Sequence, residues 1–188
     1  MGVASETLAW TFPSEIDGWL SEVEGNALRQ LCDGKCVLEI GSYCGRSTVC
    51  IAQVAEWVVA VDPHSGLETT TKPRDTYMTC KANLARYQCD NVDVVRATAE
   101  EWSAAYNGPP FDVVFIDGNH QWEAVNRDIR IAERVLAAGG LIAFHDYRLT
   151  PYEHDGRWDA AVTKAVDQYI AGGATLVSRH GTIGVVKP

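Results

Sequence analysis

Asp117 and His120 in "FDVVFIDGNH", and His145 and Asp146 in "GLIAFHDY", each stand directly behind a short apolar run. Carboxylates and imidazoles are the side chains that exchange protons near neutral pH. His145 or His120 can therefore act as a general base toward an acceptor, with Asp117 as an acidic neighbour. The plainer alternative is that Asp117 and Asp146 only cap turns and helix starts.

A second constellation lies upstream. "VLEIGSYCGRST" carries Glu39 inside an apolar strand, followed by Gly41, Tyr43 and Gly45. Glycines at such a turn let the backbone approach a ligand closely and accept positive φ. A helix starting near Ser47 or Thr48 would offer N–H groups to a negative ligand group. Asp62 ends the next apolar run roughly twenty residues on, where nucleotide-binding α/β folds place a carboxylate for ribose hydroxyls. The spacing E-x-G-x-x-x-G differs from the G-x-G-x-x-G of a dinucleotide site, and a carboxylate at position 39 would repel a pyrophosphate. It suits a cationic adenosine ligand, such as the amino or sulfonium end of S-adenosylmethionine. The alternative is that Glu39 caps the amides of its own loop.

These side chains need a scaffold that brings strand ends together. "KCVLEI" (35–40), "EWVVAVD" (56–62), "VDVVRA" (92–97), "FDVVFID" (111–117) and "GLIAFHD" (140–146) read as strands buried on both faces. Helical stretches near 46–55, 74–88, 99–106 and 121–137 separate them. An earlier helix is expected over 14–32, with Ser14 as N-cap and Trp19, Leu20, Val23, Leu28 and Leu31 near helical spacing. Regular β-α alternation predicts a doubly wound, mostly parallel, Rossmann-like sheet with helices on both faces. After a helix at 159–171, "ATLVSRHGTIGVVKP" reads as two strands turning at His180-Gly181, so the closing strand should run antiparallel. Seven strands then form a single domain over residues 1–188, with 1–14 as an N-terminal extension.

Composition narrows the function classes. A 46% hydrophobic content with 22% charge fits a soluble protein with a real core. A formal net charge of -9 argues against a groove that neutralises phosphates, so nucleic acid is not an expected partner. No charged n-region with an apolar h-region stands at the N-terminus and no membrane-length apolar stretch follows, which makes a cytoplasmic protein the expectation. The six cysteines lack the paired C-x-x-C spacing of a zinc knuckle and are expected as free thiols.

"VLEIGSYCGRSTVCIA", "VVAVDPHSG", "FDVVFIDGNHQWEAVNRDI" and "AAGGLIAFHDY", in this order, resemble the class I S-adenosylmethionine-dependent methyltransferases over roughly residues 15–187. The first segment is similar to catechol O-methyltransferase. The D-G-x-H and G-G-x-x-x-x-H-D-Y segments look more like small bacterial enzymes related to macrolide-sugar and cephalosporin-tailoring methyltransferases. The resemblance implies that Glu39, Gly41, Tyr43 and Gly45 meet the methionine end of the cofactor, with Asp117 at the same end, and that Asp62 holds the ribose. It places Thr98, Ala99 and Glu100 at the adenine, with Trp102 as a wall or, in the plainer reading, a core residue. It also implies a divalent-metal set at Asp117, His145 and Asp146, where His145 replaces a family carboxylate. Two carboxylates and an imidazole hold Mg2+ weakly and Mn2+ or Zn2+ more readily.

The implied activity is methylation of a hydroxyl on a small or glycan-like acceptor. A binding-only protein of the same fold and a nicotinamide enzyme are the alternatives. "PHSGLETTTKPRDTY" (63–77) and "YRLTPYEHDGRWD" (147–159) are the expected acceptor walls, with Tyr147, Tyr152 and Trp158 as aromatic faces and Arg148, His154 and Arg157 as donors. Without a lid domain, such a site is open to a large acceptor or completed by a second subunit in a homo-oligomer.

Overall fold

The computed structural model describes residues 10–66, 74–148 and 159–188 of the chain. Tyr152, His154, Arg157 and Trp158, expected on an acceptor wall, lie outside the described residues, as do residues 1–9 and 67–73.

Five strands carry the parallel part of the sheet: β1 (Cys36–Ile40), β2 (Trp57–Asp62), β3 (Val92–Arg96), β4 (Phe111–Ile116) and β5 (Leu136–Phe144). Two more, β6 (Thr175–His180) and β7 (Ile183–Lys187), close it in the order β3-β2-β1-β4-β5-β7-β6. β7 runs antiparallel to both β5 and β6, and every other pairing is parallel. β1 pairs with β2 on one side and β4 on the other, so the strand order reverses there. Such a reversal opens a crevice at the carboxyl ends of β1 and β4.

Helices α1 (Glu22–Cys32), α2 (Arg46–Ala52), α3 (Tyr77–Arg86), α4 (Ala99–Ala105), α5 (Trp122–Val135) and α6 (Asp159–Ala171) complete the alternation. The central strands are apolar on both faces because each face is covered. Leu38, Val114 and Ile142 join one core with α5 and α6, while Val37, Phe115 and Ala143 join another with α1 and α2. Burying a side chain of this size contributes about 1.5–3 kcal/mol, which anchors the strand ends that carry polar groups. No described helix is long and apolar enough to cross a membrane. All six cysteines are free thiols.

Two boundaries differ from the sequence expectation. α1 starts after Ser21 and not after Ser14: the Ser21 backbone N–H donates to Glu24 Oε2 at 2.9 Å, and the Ser21 hydroxyl accepts from the Glu24 N–H at 3.4 Å. This reciprocal cap fixes the start, because each partner satisfies a backbone donor of the other's turn. The preceding segment is instead strapped down by Arg46, which donates to the carbonyls of Ser14, Ile16 and Leu20 at 3.1, 2.6 and 3.1 Å. Trp19 and Val23 are consequently exposed, whereas Leu20 and Leu28 are buried. β5 begins earlier than expected and ends at Phe144, leaving His145 and Asp146 in the turn beyond it.

Candidate active site

The glycine loop is built by close approach. Gly41 has φ 94°, and a Cβ there would lie 2.2 Å from the Asp117 carbonyl oxygen. The loop after β1 thus presses on the end of β4, and Asp117 N–H donates to the Ile40 carbonyl at 2.8 Å. Gly45, at φ 89°, packs against Cys80 and starts α2. Tyr43 between them also adopts positive φ, and its backbone N–H donates to Asp62 Oδ2 at 2.8 Å. Asp62 Oδ1 accepts the His64 N–H at 2.5 Å, so one carboxylate ties the loops after β1 and β2 together. The Tyr43 ring lies 5.5 Å from that of Trp19, and its hydroxyl donates to Asp17.

Glu39 is fully buried below this loop. Its two carboxylate oxygens accept the Ser47 and Thr48 hydroxyls, both at 2.5 Å, at the start of α2. Burial pushes its pKa up to about 8 against the lowering effect of those two hydroxyls.

The acidic and imidazole groups converge where β4 and β5 end. His120 Nε2 lies 3.3 Å from Asp146 Oδ2 and 3.8 Å from Asp117 Oδ1. His145 Nδ1 lies 3.1 Å from Asp117 Oδ1 and 3.4 Å from Asp146 Oδ2. The two rings differ in access, since the His120 side chain is 24% exposed and that of His145 only 4%. Asp146 sits at φ 57°, a left-handed conformation that costs about 1–3 kcal/mol for a residue with a Cβ and collects at functional sites.

Charge balances tightly in this cluster. Burial alone would raise the Asp117 pKa, but the neighbouring His145 and His120 bring it down to about 2. Burial opposes a charged His120 ring, and Asp117 and Asp146 outweigh it, so its pKa is raised. The same contest, with Glu24 added to the acids, raises His145 well above its ordinary value.

Asp117, His145 and Asp146, the trio implied as a metal set, are brought together, and His120 joins them. The ligand atoms that lie within 4.8 Å of one another come from Asp117, His120 and Asp146. Glu24 escaped the sequence reading. Its Oε2 lies 3.6 Å from His145 Nε2, and nothing local in the sequence pairs these residues.

The other expected site residues have the following places. Ala99 opens α4 in the cap of Thr98 with Glu101, while the Glu100 carboxylate pairs with Arg127 of α5. Trp102 is buried against Tyr106 and Phe111, in keeping with its core reading. Tyr147 is not an open aromatic face. It is fully buried, with its hydroxyl donating to Asp167 at 2.7 Å and its ring occupying the space left by Gly184.

A family model described as a methyltransferase domain matches residues 38–147, from β1 through Tyr147, which is more than half of the chain. The chain belongs to this methyltransferase family. Among curated proteins, the uncharacterized protein R132 of Acanthamoeba polyphaga mimivirus is 37% identical over 60 residues, 32% of this chain. The match spans about a quarter of that relative's length, 24%.

Solved structures share the fold. The O-methyltransferase from Bacillus cereus in complex with SAH superposes with TM-score 0.67 at 17% identity, covering 92% of this chain and 84% of that one. The O-methyltransferase TomG from Streptomyces achromogenes, in complex with SAM, gives 0.68 at 16%, covering 90% and 81%. Cofactor-bound Rv0187 from MTB gives 0.70 at 24%, covering 90% and 81%. The class I methyltransferase resemblance and the mostly parallel sheet with its antiparallel closing strand are thereby borne out.

Proposed function

We propose that this protein transfers the methyl group of S-adenosylmethionine to a hydroxyl oxygen of a small or glycosidic acceptor, at the face made by Asp117, His120 and Asp146. One observation carries the reading. The glycine loop at Gly41 abuts the backbone of Asp117, so the cradle for the cofactor and the acid-imidazole cluster share one residue. The donor fits the residues present: left-handed glycines at 41 and 45 allow close approach, and the Asp62 carboxylate stands at the next strand end.

S-adenosylmethionine supplies an activated methyl group when bound. In the displacement, the S–CH3 bond breaks as the O–CH3 bond forms, and the sulfur keeps the bonding pair. The acceptor's proton must leave, and His120 Nε2 is the partly exposed base in the cluster. Asp117 and Asp146, both within 4 Å of it, stabilise the imidazolium that results. Most of the remaining rate enhancement comes from holding acceptor and methyl in line.

A divalent ion is the second reading, favoured by the convergence of ligand atoms from Asp117, His120 and Asp146. These residues would hold it, and the mixed donor set suits Mn2+ or Zn2+ above Mg2+. Such an ion would lower the pKa of a bound hydroxyl. His120 would then act as a ligand and not as the base.

Methyl transfer from labelled S-adenosylmethionine to a panel of phenols, catechols and glycosides, with and without a chelator, tests both readings. Turnover that survives chelation and disappears in His120→Gln supports the base. Turnover lost on chelation and restored by Mn2+ or Zn2+ supports the ion. Binding of S-adenosylmethionine without methylation of any hydroxyl would overturn the proposed reaction.

A further inference from the structure

Glu24 is a buried carboxylate that its capping duty does not explain. α4 carries the same reciprocal cap, Thr98 with Glu101, and there the carboxylate stays at the surface. Glu24 instead reaches the turn between β6 and β7. Oε2 accepts the Ser21 N–H and hydroxyl at 2.9 and 2.7 Å, while Oε1 accepts the Thr182 N–H and hydroxyl at 2.8 and 2.6 Å. Removing a carboxylate from water is expensive unless such donors replace it. The space is kept open for it, since a Cβ on Gly181 would lie 2.8 Å from Glu24 Oε1.

The consequence is felt at His145. Its ring is held from both ends, by Glu24 at 3.6 Å from Nε2 and by Asp117 and Asp146 around Nδ1. The contact to Glu24 is an ion-pair separation, longer than a hydrogen bond. The backbone reinforces the clamp, because His145 N–H donates to the Ile116 carbonyl at 3.0 Å and Tyr147 N–H to the Thr182 carbonyl at 2.9 Å. Thr182 therefore links Glu24 directly to the turn that carries Asp146. A carboxylate on the far side of a buried imidazole fixes its tautomer and orientation, since a ring free to rotate would not keep one nitrogen toward both acids.

The geometry points to Glu24 as a positioning residue: it fixes the His145 ring, which aims the Asp117 and Asp146 carboxylates at His120. The inference deepens the proposed methyl transfer and rests on that reading of the site. Atoms that react touch His120, whereas Glu24 acts only through His145.

Glu24→Gln, with Glu22→Gln as the control for a carboxylate lost from the exposed first turn of the same helix, separates positioning from plain structure. Glu24→Gln keeps an oxygen for Thr182 but replaces the charge facing His145. The expected result is a kcat lower by at least about tenfold, with the KM for S-adenosylmethionine within about twofold of wild type, the split that marks a loss confined to the reacting state. Glu22→Gln should leave kcat nearly unchanged. Ring 15N NMR of His145 gives a readout that needs no turnover: its signals should move in Glu24→Gln and stay in place in Glu22→Gln. If Glu24→Gln fails to fold, by circular dichroism and loss of S-adenosylhomocysteine binding, Glu24→Asp carries the same expectations through its shorter reach. An equal kcat loss in Glu22→Gln, or an unmoved His145 ring in the Glu24 variant, would overturn the inference. A wild-type protein that methylates no hydroxyl would sink the activity, and the His145 spectra would still decide the positioning.

Discussion

Gly41 and Asp117 meet so closely that any side chain at position 41 would enter the carbonyl group of residue 117, with a Cβ only 2.2 Å from its oxygen. The glycine loop and the acid-imidazole cluster are thus one packed unit. Gly41→Ala must both relieve that overlap and hold a left-handed φ, strain worth about 1–3 kcal/mol for the backbone alone. We expect a lower urea midpoint and lost S-adenosylhomocysteine binding. Wild-type affinity in calorimetry would show that the loop can retreat without consequence for the cofactor.

Asp62 holds the Tyr43 and His64 amides. Its second lone pairs remain for ribose hydroxyls, and a hydrogen bond to a charged group contributes roughly 1.5–3 kcal/mol. Asp62→Ala should weaken binding of S-adenosylmethionine by about that amount. Titration calorimetry with S-adenosylmethionine, S-adenosylhomocysteine and NAD checks this, and unchanged affinity would place the ribose elsewhere.

Much of this unit was legible in the sequence because it depends on local signals. The apolar runs that end at Glu39-Ile40, Asp62 and Asp117 gave the strands, and the glycines after them gave the turns. α1 was misplaced because Ser14 and Ser21 are both acceptable caps, and only the Glu24 carboxylate returning to Ser21 decides between them. Tyr147 read as a loop aromatic, yet Gly184 leaves a slot for its ring from a strand far along the chain. Glu24 was invisible for the same reason: Thr182 lies 158 residues away from it. Periodicity reports which face a residue takes, and it carries no information on contacts between elements so distant.

Glu39→Gln tests whether the buried carboxylate serves the cofactor or only its own loop. With a pKa of about 8, Glu39 binds a proton in the folded state at pH values where the unfolded chain has released it. It therefore costs stability progressively as pH rises from the ordinary value of 4.5 toward 8. Glu39→Gln should raise the melting temperature above pH 8, where the wild type must bury a charge. If the carboxylate attracts the sulfonium, the substitution should weaken S-adenosylmethionine more than S-adenosylhomocysteine, which lacks that charge. Equal weakening of both ligands would leave Glu39 a loop-capping residue, held by Ser47 and Thr48.

Above pH 6.5 the imidazole-carboxylate cluster makes stability and activity respond oppositely to rising pH. Asp117, lowered to about 2, contributes stability that is present above its ordinary value of 3.8 and is lost as pH falls through about 2. His145, raised well above 6.5, contributes stability fully present below 6.5 and lost as pH rises through its folded value. The Asp117–His145 pair feeds both shifts, so Asp117→Asn should abolish the acid dependence and weaken the His145 one, which Asp146 and Glu24 continue to support. His120 is raised as well, by Asp117 and Asp146 against burial. As the base it must be neutral, so kcat/KM should rise with pH through a value above 6.5 and then level off. Replacing Asp146 by Asn takes away one of the two carboxylates and should move that limb toward lower pH. A rate profile that is flat across the neutral range in wild type, or a limb unmoved in Asp146→Asn, would remove His120 from the proton transfer.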